Sequence, residues 1–151
     1  MANPILRQKL ASRQFITAPG IQDMIAAVVA NKVGFDIVYG SGYWTVASAH
    51  GLPDAGIASV TQMVDRMATL VRTCNAAVVA DADTGFGGLL NVHHRVQADE
   101  QAGVTAIQIE DQEFPKECGH TPGKRVVPAE EMADNIRVAV EARRDENFLT
   151  I

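Results

Sequence analysis

The chain has 151 residues, 47% of them hydrophobic, and a formal net charge of −5 at pH 7. This composition excludes a disordered chain, because so many hydrophobic residues can bury the core of one ordinary domain. The acidic balance, with no basic block to offset it, argues against nucleic acid and anionic membranes as partners. The apolar runs are too short to cross a bilayer, so we expect a cytoplasmic protein whose partners are small molecules or cations.

Helical and strand-like patterns alternate from the start of the chain. In its first half, the predicted elements are a helix over 4–13, a strand over 15–18, a helix over 21–31, a strand over 35–39, a helical turn over 44–50 and a helix over 61–73. The strand over 15–18 is predicted to stop at Pro19 and Gly20, which favour a turn. The helix over 21–31 is predicted to bury a stripe formed by Ile21, Met24, Ile25, Val28 and Val29.

The second half continues the alternation. It is predicted to contain a strand over 76–80, a helix over 89–102, a strand over 105–109, a helix over 128–144 and a strand that begins at residue 148. Asp99 and Glu100 are expected to be surface charges of the helix over 89–102. The connection over 113–127 is long, since roughly 2–6 residues are usual between a strand and a helix. Long loops in compact domains tend to be functional.

Strict alternation of strands and helices predicts a single α/β domain with parallel strands and right-handed crossovers. Two architectures satisfy this pattern: an open doubly wound sheet and the first half of a (β/α)₈ barrel. A complete barrel usually needs about 250 residues, so length alone favours the open sheet.

Carboxylates follow three of the predicted strands. Asp81 and Asp83 end the third strand, Glu110 ends the fourth, and Asp54 lies in the loop after the second. In extended backbone, Asp81 and Asp83 would point to the same side, and neighbouring strands lie about 4.8 Å apart. Such a cluster repels itself unless a hard cation such as Mg²⁺ neutralises it. The alternative is that these acids cap the helices that follow.

Three glycines and a thiol accompany these acids. The run Gly85, Gly87 and Gly88 either lets the backbone approach a ligand or simply makes a tight turn, and it forms no nucleotide-binding fingerprint. Cys118 lies in the long loop between Lys116 and His120, and a thiol with cationic neighbours can transfer a proton. The alternative is an ordinary surface thiol.

Five motifs resemble, in order and approximate spacing, those of the isocitrate lyase and phosphoenolpyruvate mutase superfamily. They lie at 34–42, 52–54, 81–87, 109–112 and 116–120, so the resemblance spans essentially the whole chain. It implies a parallel (β/α)₈ barrel of which residues 1–151 form the first four and a half βα units as a single domain. It also implies a Mg²⁺ cofactor, with Mn²⁺ as the alternative ion, at the carboxyl ends of the strands.

The resemblance also assigns roles to residues of this sequence. Asp81 and Asp83 match the metal-binding pair, with Asp54 and Glu110 supporting the ion through bound water. Cys118 matches the acid/base residue of the lyase branch, and we group Lys116 and His120 with it, on a loop that closes over the substrate. The predicted substrate-binding residues are Tyr39, Ser41, Gly42, Tyr43 and Gly119.

The implied reaction is retro-aldol cleavage of a 2-hydroxy di- or tricarboxylate into a 2-oxo acid, such as pyruvate, and a second carboxylate. Alternatives are decarboxylation of an oxaloacetate-like acid, phosphonomutase chemistry, or a non-catalytic half-barrel that self-associates. Glu117 replaces a basic residue of the isocitrate and methylisocitrate enzymes, and Tyr43 is bulkier than their glycine-rich turn. Both differences favour a smaller, dimethylmalate-like acid. Because the chain ends inside the fifth strand, we expect a truncated protein and a homo-oligomer that pairs its open edges.

Overall fold

Strands and helices alternate throughout the computed structural model, which describes residues 2–151. The strands are β1 (Gly20–Ile21), β2 (Ile37–Gly40), β3 (Ala77–Asp81), β4 (Ala106–Gln108) and β5 (Leu149–Thr150). The helices are α1 (Ile5–Ala11), α2 (Met24–Val33), α3 (Gly42–His50), α4 (Val60–Thr73), α5 (Leu89–Ala102) and α6 (Ala129–Ala142). No helix within residues 2–151 combines the length and the hydropathy needed to span a membrane.

The order of the strands decides between the two expected architectures. All strand pairs are parallel, and the order across the sheet is β1-β2-β3-β4-β5. A doubly wound sheet reverses its strand order at a switch point, which sends helices to both faces. Here every crossover advances in the same direction, and α2, α4, α5 and α6 pack side by side in that order. This is the arrangement of a barrel, so the open sheet favoured by length alone is wrong.

Alternate side chains along the strands pack into two separate hydrophobic clusters. Val38 and Val78 join the main core, which the sheet shares with the large helices. Ile37 and Val79 join a second, smaller cluster that includes Leu6 of α1. Because successive side chains of a strand point to opposite faces, α1 covers the face of the sheet that lies away from the large helices.

The first strand lies later in the chain than the sequence predicts. Phe15, at the start of the predicted strand, is 92% exposed, and β1 is formed by Gly20 and Ile21. The carbonyl of Pro19 accepts a hydrogen bond from the Tyr39 N–H at 2.9 Å. Proline lacks only the donor, so it fits the start of an edge strand, and the Pro-Gly pair begins β1 instead of ending it.

The predicted apolar stripe of α2 is confirmed only at its start: Ile21 is buried and Met24 packs against the core, but Ile25, Val28 and Val29 are exposed. The helix begins at Met24, because Asp23 caps it by accepting a hydrogen bond from the Ala26 N–H at 2.8 Å. Its buried residues are Ala27 and Ala30, whereas Ile25 is 78% exposed. The prediction placed the large apolar residues of the helix against the core. Instead the small alanines face the core, where they let the helix lie close to its neighbours.

The predicted helix boundaries are closer elsewhere. In α4, Met63, Met67 and Leu70 are fully buried, and Ser59 begins the helix with a capping box one residue before the predicted range would place it. α5 ends at Gly103, which has the left-handed conformation expected of a C-terminal glycine. The long connection before α6 contains only an isolated bridge between Gln112 and Val126. Its length confirms the prediction of an irregular loop over 113–127.

Candidate metal centre and active site

Three carboxylates meet at the carboxyl edge of the sheet. Asp81 is the last residue of β3, Asp83 follows two residues later, and Glu110 follows β4. Oxygen atoms of these three side chains all lie within 4.8 Å of one another. None of the three caps a helix, because α5 begins at Gly88 and α6 at Pro128, both without a side-chain cap. The capping alternative is therefore wrong.

Backbone donors hold the carboxylate of Asp81. The Gly42 N–H donates to Oδ2 and the Asp83 N–H donates to Oδ1, each at 3.0 Å. Glycine is required at position 42, because a Cβ atom there would lie 2.6 Å from Asp81 Oδ2. The turn after β2 therefore orients the Asp81 carboxylate directly. Its predicted contact with substrate, through Ser41, Gly42 and Tyr43, stays a prediction.

Asp83 reaches the cluster through a turn and not through extended backbone. Its φ angle is +48°, in the left-handed region, so the expectation that alternation along a strand would align Asp81 with Asp83 is wrong. The Gly85 N–H donates to the Ala82 carbonyl at 2.9 Å, and the Glu110 N–H donates to the Asp83 carbonyl at 2.8 Å. This turn folds Asp83 back towards Asp81 and fastens it to the residue that follows β4.

The glycines after Asp83 serve the packing of the same turn. A Cβ atom at Gly85 would lie 2.5 Å from the Val92 side chain, and one at Gly87 would lie 2.7 Å from the Asn91 side chain. Both glycines also have positive φ angles, +84° and +142°. They let the turn lie directly on the first turns of α5, which supports the tight-turn alternative for this run.

Lys116 lies inside the acidic cluster. Its side chain is only 3% exposed, and Nζ lies 2.6 Å from Asp83 Oδ1, 2.9 Å from Asp54 Oδ1 and 3.2 Å from Glu110 Oε1. Sequence reasoning connected Lys116 with Cys118 and missed this position, since only the path of the long loop brings the ammonium group there. One cation among the four carboxylates of Asp54, Asp81, Asp83 and Glu110 leaves three negative charges to be neutralised.

The electrostatics of the cluster differ from residue to residue. Burial and then the charge of Asp81 raise the pKa of Asp83 to about 6, although Lys116 opposes that rise. Burial lowers the pKa of Lys116, but Asp83 and Asp54 outweigh it, so this pKa is raised overall and the ammonium stays charged. Burial and the nearby charge of Asp81 raise the pKa of Tyr39, whose hydroxyl stays protonated.

Cys118 lies beside the cluster. Its half-buried thiol helps to line a pocket of about 430 Å³ together with Tyr43 and Asp54. Gly119 lines a neighbouring cavity of about 380 Å³ that also contains Glu110, and His120 is exposed. The structure thus brings Tyr43, Cys118 and Gly119 next to the acidic cluster, whereas His120 lines neither of these two cavities. A larger cavity, of about 1040 Å³, lies where α5 ends and β5 begins, and none of the predicted site residues lines it.

The donor set fits a hard divalent cation. Asp81, Asp83 and Glu110 offer only oxygen ligands, which suit Mg²⁺ and Mn²⁺, whereas zinc sites usually contain nitrogen or sulfur ligands. Mg²⁺ keeps several waters and needs few protein ligands, so three carboxylates with Asp54 nearby are sufficient.

Several known proteins are similar to this chain in sequence and in fold. The chain is 43% identical over 144 residues to 2,3-dimethylmalate lyase of Eubacterium barkeri, covering 95% of this chain and 50% of that protein. It is also similar to the structure of phosphoenolpyruvate phosphomutase from Streptomyces platensis subsp. rosaceus, with a TM-score of 0.93, 33% identity, and coverage of 99% of this chain and 52% of the other.

A third similarity is to phosphonopyruvate hydrolase in complex with oxalate and Mg²⁺, with a TM-score of 0.87, 34% identity, and coverage of 99% of this chain and 51% of the other. The chain therefore spans about half the length of these proteins. The predicted first half of a (β/α)₈ barrel is confirmed. A family model described as phosphoenolpyruvate phosphomutase matches residues 6–151, so the chain belongs to that family, within the isocitrate lyase and phosphoenolpyruvate mutase superfamily.

Proposed function

We propose that this chain forms the metal-binding half of the active site of a Mg²⁺-dependent carbon–carbon lyase. The substrate is a 2-hydroxy di- or tricarboxylate, and the products are a 2-oxo acid such as pyruvate and a second carboxylate. The observation that carries the proposal is the cluster of Asp81, Asp83 and Glu110, whose oxygen atoms lie within 4.8 Å of one another. Cys118 lines the adjacent pocket, which supplies a thiol for proton transfer.

The acidic residues divide the work of holding the ion. Asp81 is oriented by two backbone N–H groups, so its carboxylate is set in place before an ion arrives. Asp83 and Glu110 complete the set of direct or water-mediated ligands, and Asp54 supports them. Bound Mg²⁺ would stabilise the negative charge that develops on the substrate oxygen, an effect worth several kcal/mol.

The remaining residues act on the substrate. A base removes the proton of the substrate hydroxyl, the C–C bond breaks as the C=O bond of the 2-oxo acid forms, and the Cys118 thiol gives its proton to the carbanion that departs. A positioned acid typically contributes about 10²–10⁴-fold. Lys116, held among the carboxylates, positions the loop that carries Cys118, while His120 lies on the same loop. Tyr39, Ser41, Gly42, Tyr43 and Gly119 are the proposed substrate contacts. A reduced thiol requires a reducing compartment, so a cytoplasmic location belongs to the same proposal.

The pocket favours a small substrate. Tyr43 and Glu117, the two departures from the pattern of the tricarboxylate enzymes, both line the pocket that contains Cys118. A bulky ring reduces its volume, and a negative charge disfavours a third substrate carboxylate. We therefore propose a dicarboxylate such as 2,3-dimethylmalate. The shape and charge of the pocket carry this choice and similarity does not, since relatives named 2,3-dimethylmalate lyase and 2-methylisocitrate lyase are 43% and 47% identical to the chain.

A second candidate is a decarboxylase, hydrolase or phosphonomutase of the same superfamily. The similar structures of phosphoenolpyruvate phosphomutase and phosphonopyruvate hydrolase favour it. Cys118 favours the lyase, because the thiol has a role as a proton donor in C–C cleavage and none in P–C chemistry. A third candidate is a half-barrel without activity that self-associates, since β1 and β5 each have only one strand neighbour in the described residues.

The test measures pyruvate release from 2,3-dimethylmalate, methylisocitrate and oxaloacetate, with Mg²⁺ and with a chelator. The lyase proposal expects Mg²⁺-dependent release from dimethylmalate, lost in Cys118→Ser and kept in the control Cys74→Ser. A preference for methylisocitrate would overturn the proposed substrate, and activity that survives Cys118→Ser would favour the second candidate. Light scattering with and without Mg²⁺ tests self-association, and a silent oligomer would favour the third.

A further inference from the structure

Two residues of α5, Arg95 and Asp99, form an ion pair that is completely buried. Arg95 and Asp99 are both 0% exposed, and Arg95 Nε lies 2.5 Å from Asp99 Oδ2. The expectation that Asp99 is a surface charge is wrong, because this face of α5 packs beneath the turn after β3. Neither residue belongs to the proposed metal ligands or substrate contacts, so the pair requires a separate explanation.

Stability alone does not explain this pair. Removing two charges from water costs more than their attraction recovers unless the remaining polar atoms are also hydrogen-bonded. Within residues 2–151, Arg95 Nη1 and Asp99 Oδ1 are buried without hydrogen-bond partners. An apolar pair of similar volume would serve the core at least as well, which indicates that the guanidinium has another role.

The other contacts of Arg95 fall on one short segment. Nη2 donates a hydrogen bond to the Asp81 carbonyl at 3.1 Å. The guanidinium carbon lies 5.0 Å from the centroid of the Phe86 ring, a cation–π contact. Asp81 and Phe86 stand on either side of Asp83, so Arg95 holds the turn that presents two of the three clustered carboxylates.

This turn needs support from its surroundings. Asp83 and Phe86 are non-glycine residues with φ angles of +48° and +64°. Such left-handed backbone is disfavoured and persists only where surrounding contacts hold it. A planar guanidinium reaches a carbonyl, a carboxylate and an aromatic face at once, which an ammonium group or an apolar side chain cannot do.

We propose that Arg95 is a positioning residue that fixes the 81–88 turn, with Asp99 as its orienting partner, so that Asp81 and Asp83 present their carboxylates at metal-binding spacing. The inference rests on the proposed metal function. Contacts that orient metal ligands typically contribute about 10–100-fold to metal affinity, and we expect an effect at the lower end of that range.

The test replaces the pair with apolar residues of similar volume, Arg95→Met with Asp99→Leu, and measures Mn²⁺ affinity and the Mn²⁺ electron paramagnetic resonance spectrum. We expect the double variant to fold with an unchanged or higher Tm, to bind Mn²⁺ about tenfold more weakly, and to broaden the spectrum. Arg95→Lys should recover part of the affinity. The control makes the same change to an exposed pair in α6, Arg137→Met with Asp134→Leu, and should leave Mn²⁺ binding unchanged.

The outcomes separate the two proposals. Wild-type protein that binds no Mn²⁺ overturns the metal function and this inference with it. Wild-type binding that the double variant retains in full, with the same spectrum, overturns the inference alone. If the double variant does not fold, Phe86→Leu provides the test, because it removes the aromatic face and keeps the ion pair. Phe86→Leu should weaken Mn²⁺ binding, and an unchanged affinity overturns the contribution of the cation–π contact to the role of Arg95.

Discussion

Two loops at the carboxyl edge of the sheet are built in opposite ways. The 81–88 turn is short, begins with five buried residues and is packed directly on α5 through glycines. The 113–127 loop is long and mostly exposed, and Lys116 is its one buried residue. The carboxylates of Asp81 and Asp83 thus stand on the firmly packed segment, and Cys118 stands on the mostly exposed one. Under the proposed function, the packed turn would hold the metal ligands in place, and the exposed loop would bring the proton donor to the substrate.

The largest effect is expected from a substitution in the packed 81–88 turn. Asp83→Ala should weaken Mg²⁺ binding by at least about 100-fold, since losing a ligand should cost no less than losing a residue that only orients one. Isothermal titration calorimetry measures this affinity. Asp111→Ala, one residue beyond Glu110 but exposed, is the control and should bind like wild type. Equal affinities of Asp83→Ala and wild type would place the ion elsewhere.

The packing of the turn itself is tested by Gly85→Ala. The new Cβ would lie 2.5 Å from the Val92 side chain at a φ angle of +84°, so we expect a loss of about 2 kcal/mol in the free energy of unfolding. Denaturant unfolding measures it. Gly88→Ala has open space around the new Cβ and a negative φ angle, and should change stability by less than about 0.5 kcal/mol. Similar losses in both variants would contradict the proposed packing constraint.

The 113–127 loop is tested by Lys116→Met. Removing the ammonium group should strengthen Mg²⁺ binding about tenfold, because the buried positive charge of Lys116 competes with the ion for the carboxylates of Asp83 and Glu110. Hydrogen exchange of 113–127 should become faster at the same time, since the loop loses its buried anchor. Lys124→Met is the control, as its Nζ contacts only the Gly119 carbonyl at the surface. Weaker binding with unchanged exchange would show that Lys116 serves the metal and not the loop.

The smallest effect is the dependence of metal binding on pH. Asp83 has a pKa of about 6, so Mg²⁺ competes with a proton and should bind about twofold more weakly at pH 6 than at pH 7.5.

The same raised pKa has a defined sign for stability. Because it exceeds the value of the unfolded chain, the contribution of Asp83 in metal-free protein is present below about pH 4 and is lost as pH rises through about 6. The difference in Tm between wild type and Asp83→Asn, measured from pH 4 to 8 with a chelator, isolates this contribution. A contribution that grows with pH would contradict the raised pKa.

Long elements with several agreeing sequence features were predicted more accurately than short ones. α4, with a capping box and a strong buried stripe, was predicted nearly to the residue, because many local terms agree along it. β1 was misplaced, since two residues leave no periodicity to detect and Phe15 looked more like a strand than Gly20 did. In α2, the burial of Ala27 and Ala30 depends on how closely its neighbours approach, which spacing within one helix does not encode.

The sequence by itself determined the α/β class, the acids that follow neighbouring strands, and the family. These features depend on local pattern and on residue types that parallel strands must bring to one edge. Only the tertiary structure decided the one-directional strand order, the left-handed turn at Asp83, and the burial of Lys116 and of the Arg95–Asp99 pair. A charged residue looks the same in sequence whether it faces water or a cluster of carboxylates, because the charges that surround it come from segments distant along the chain.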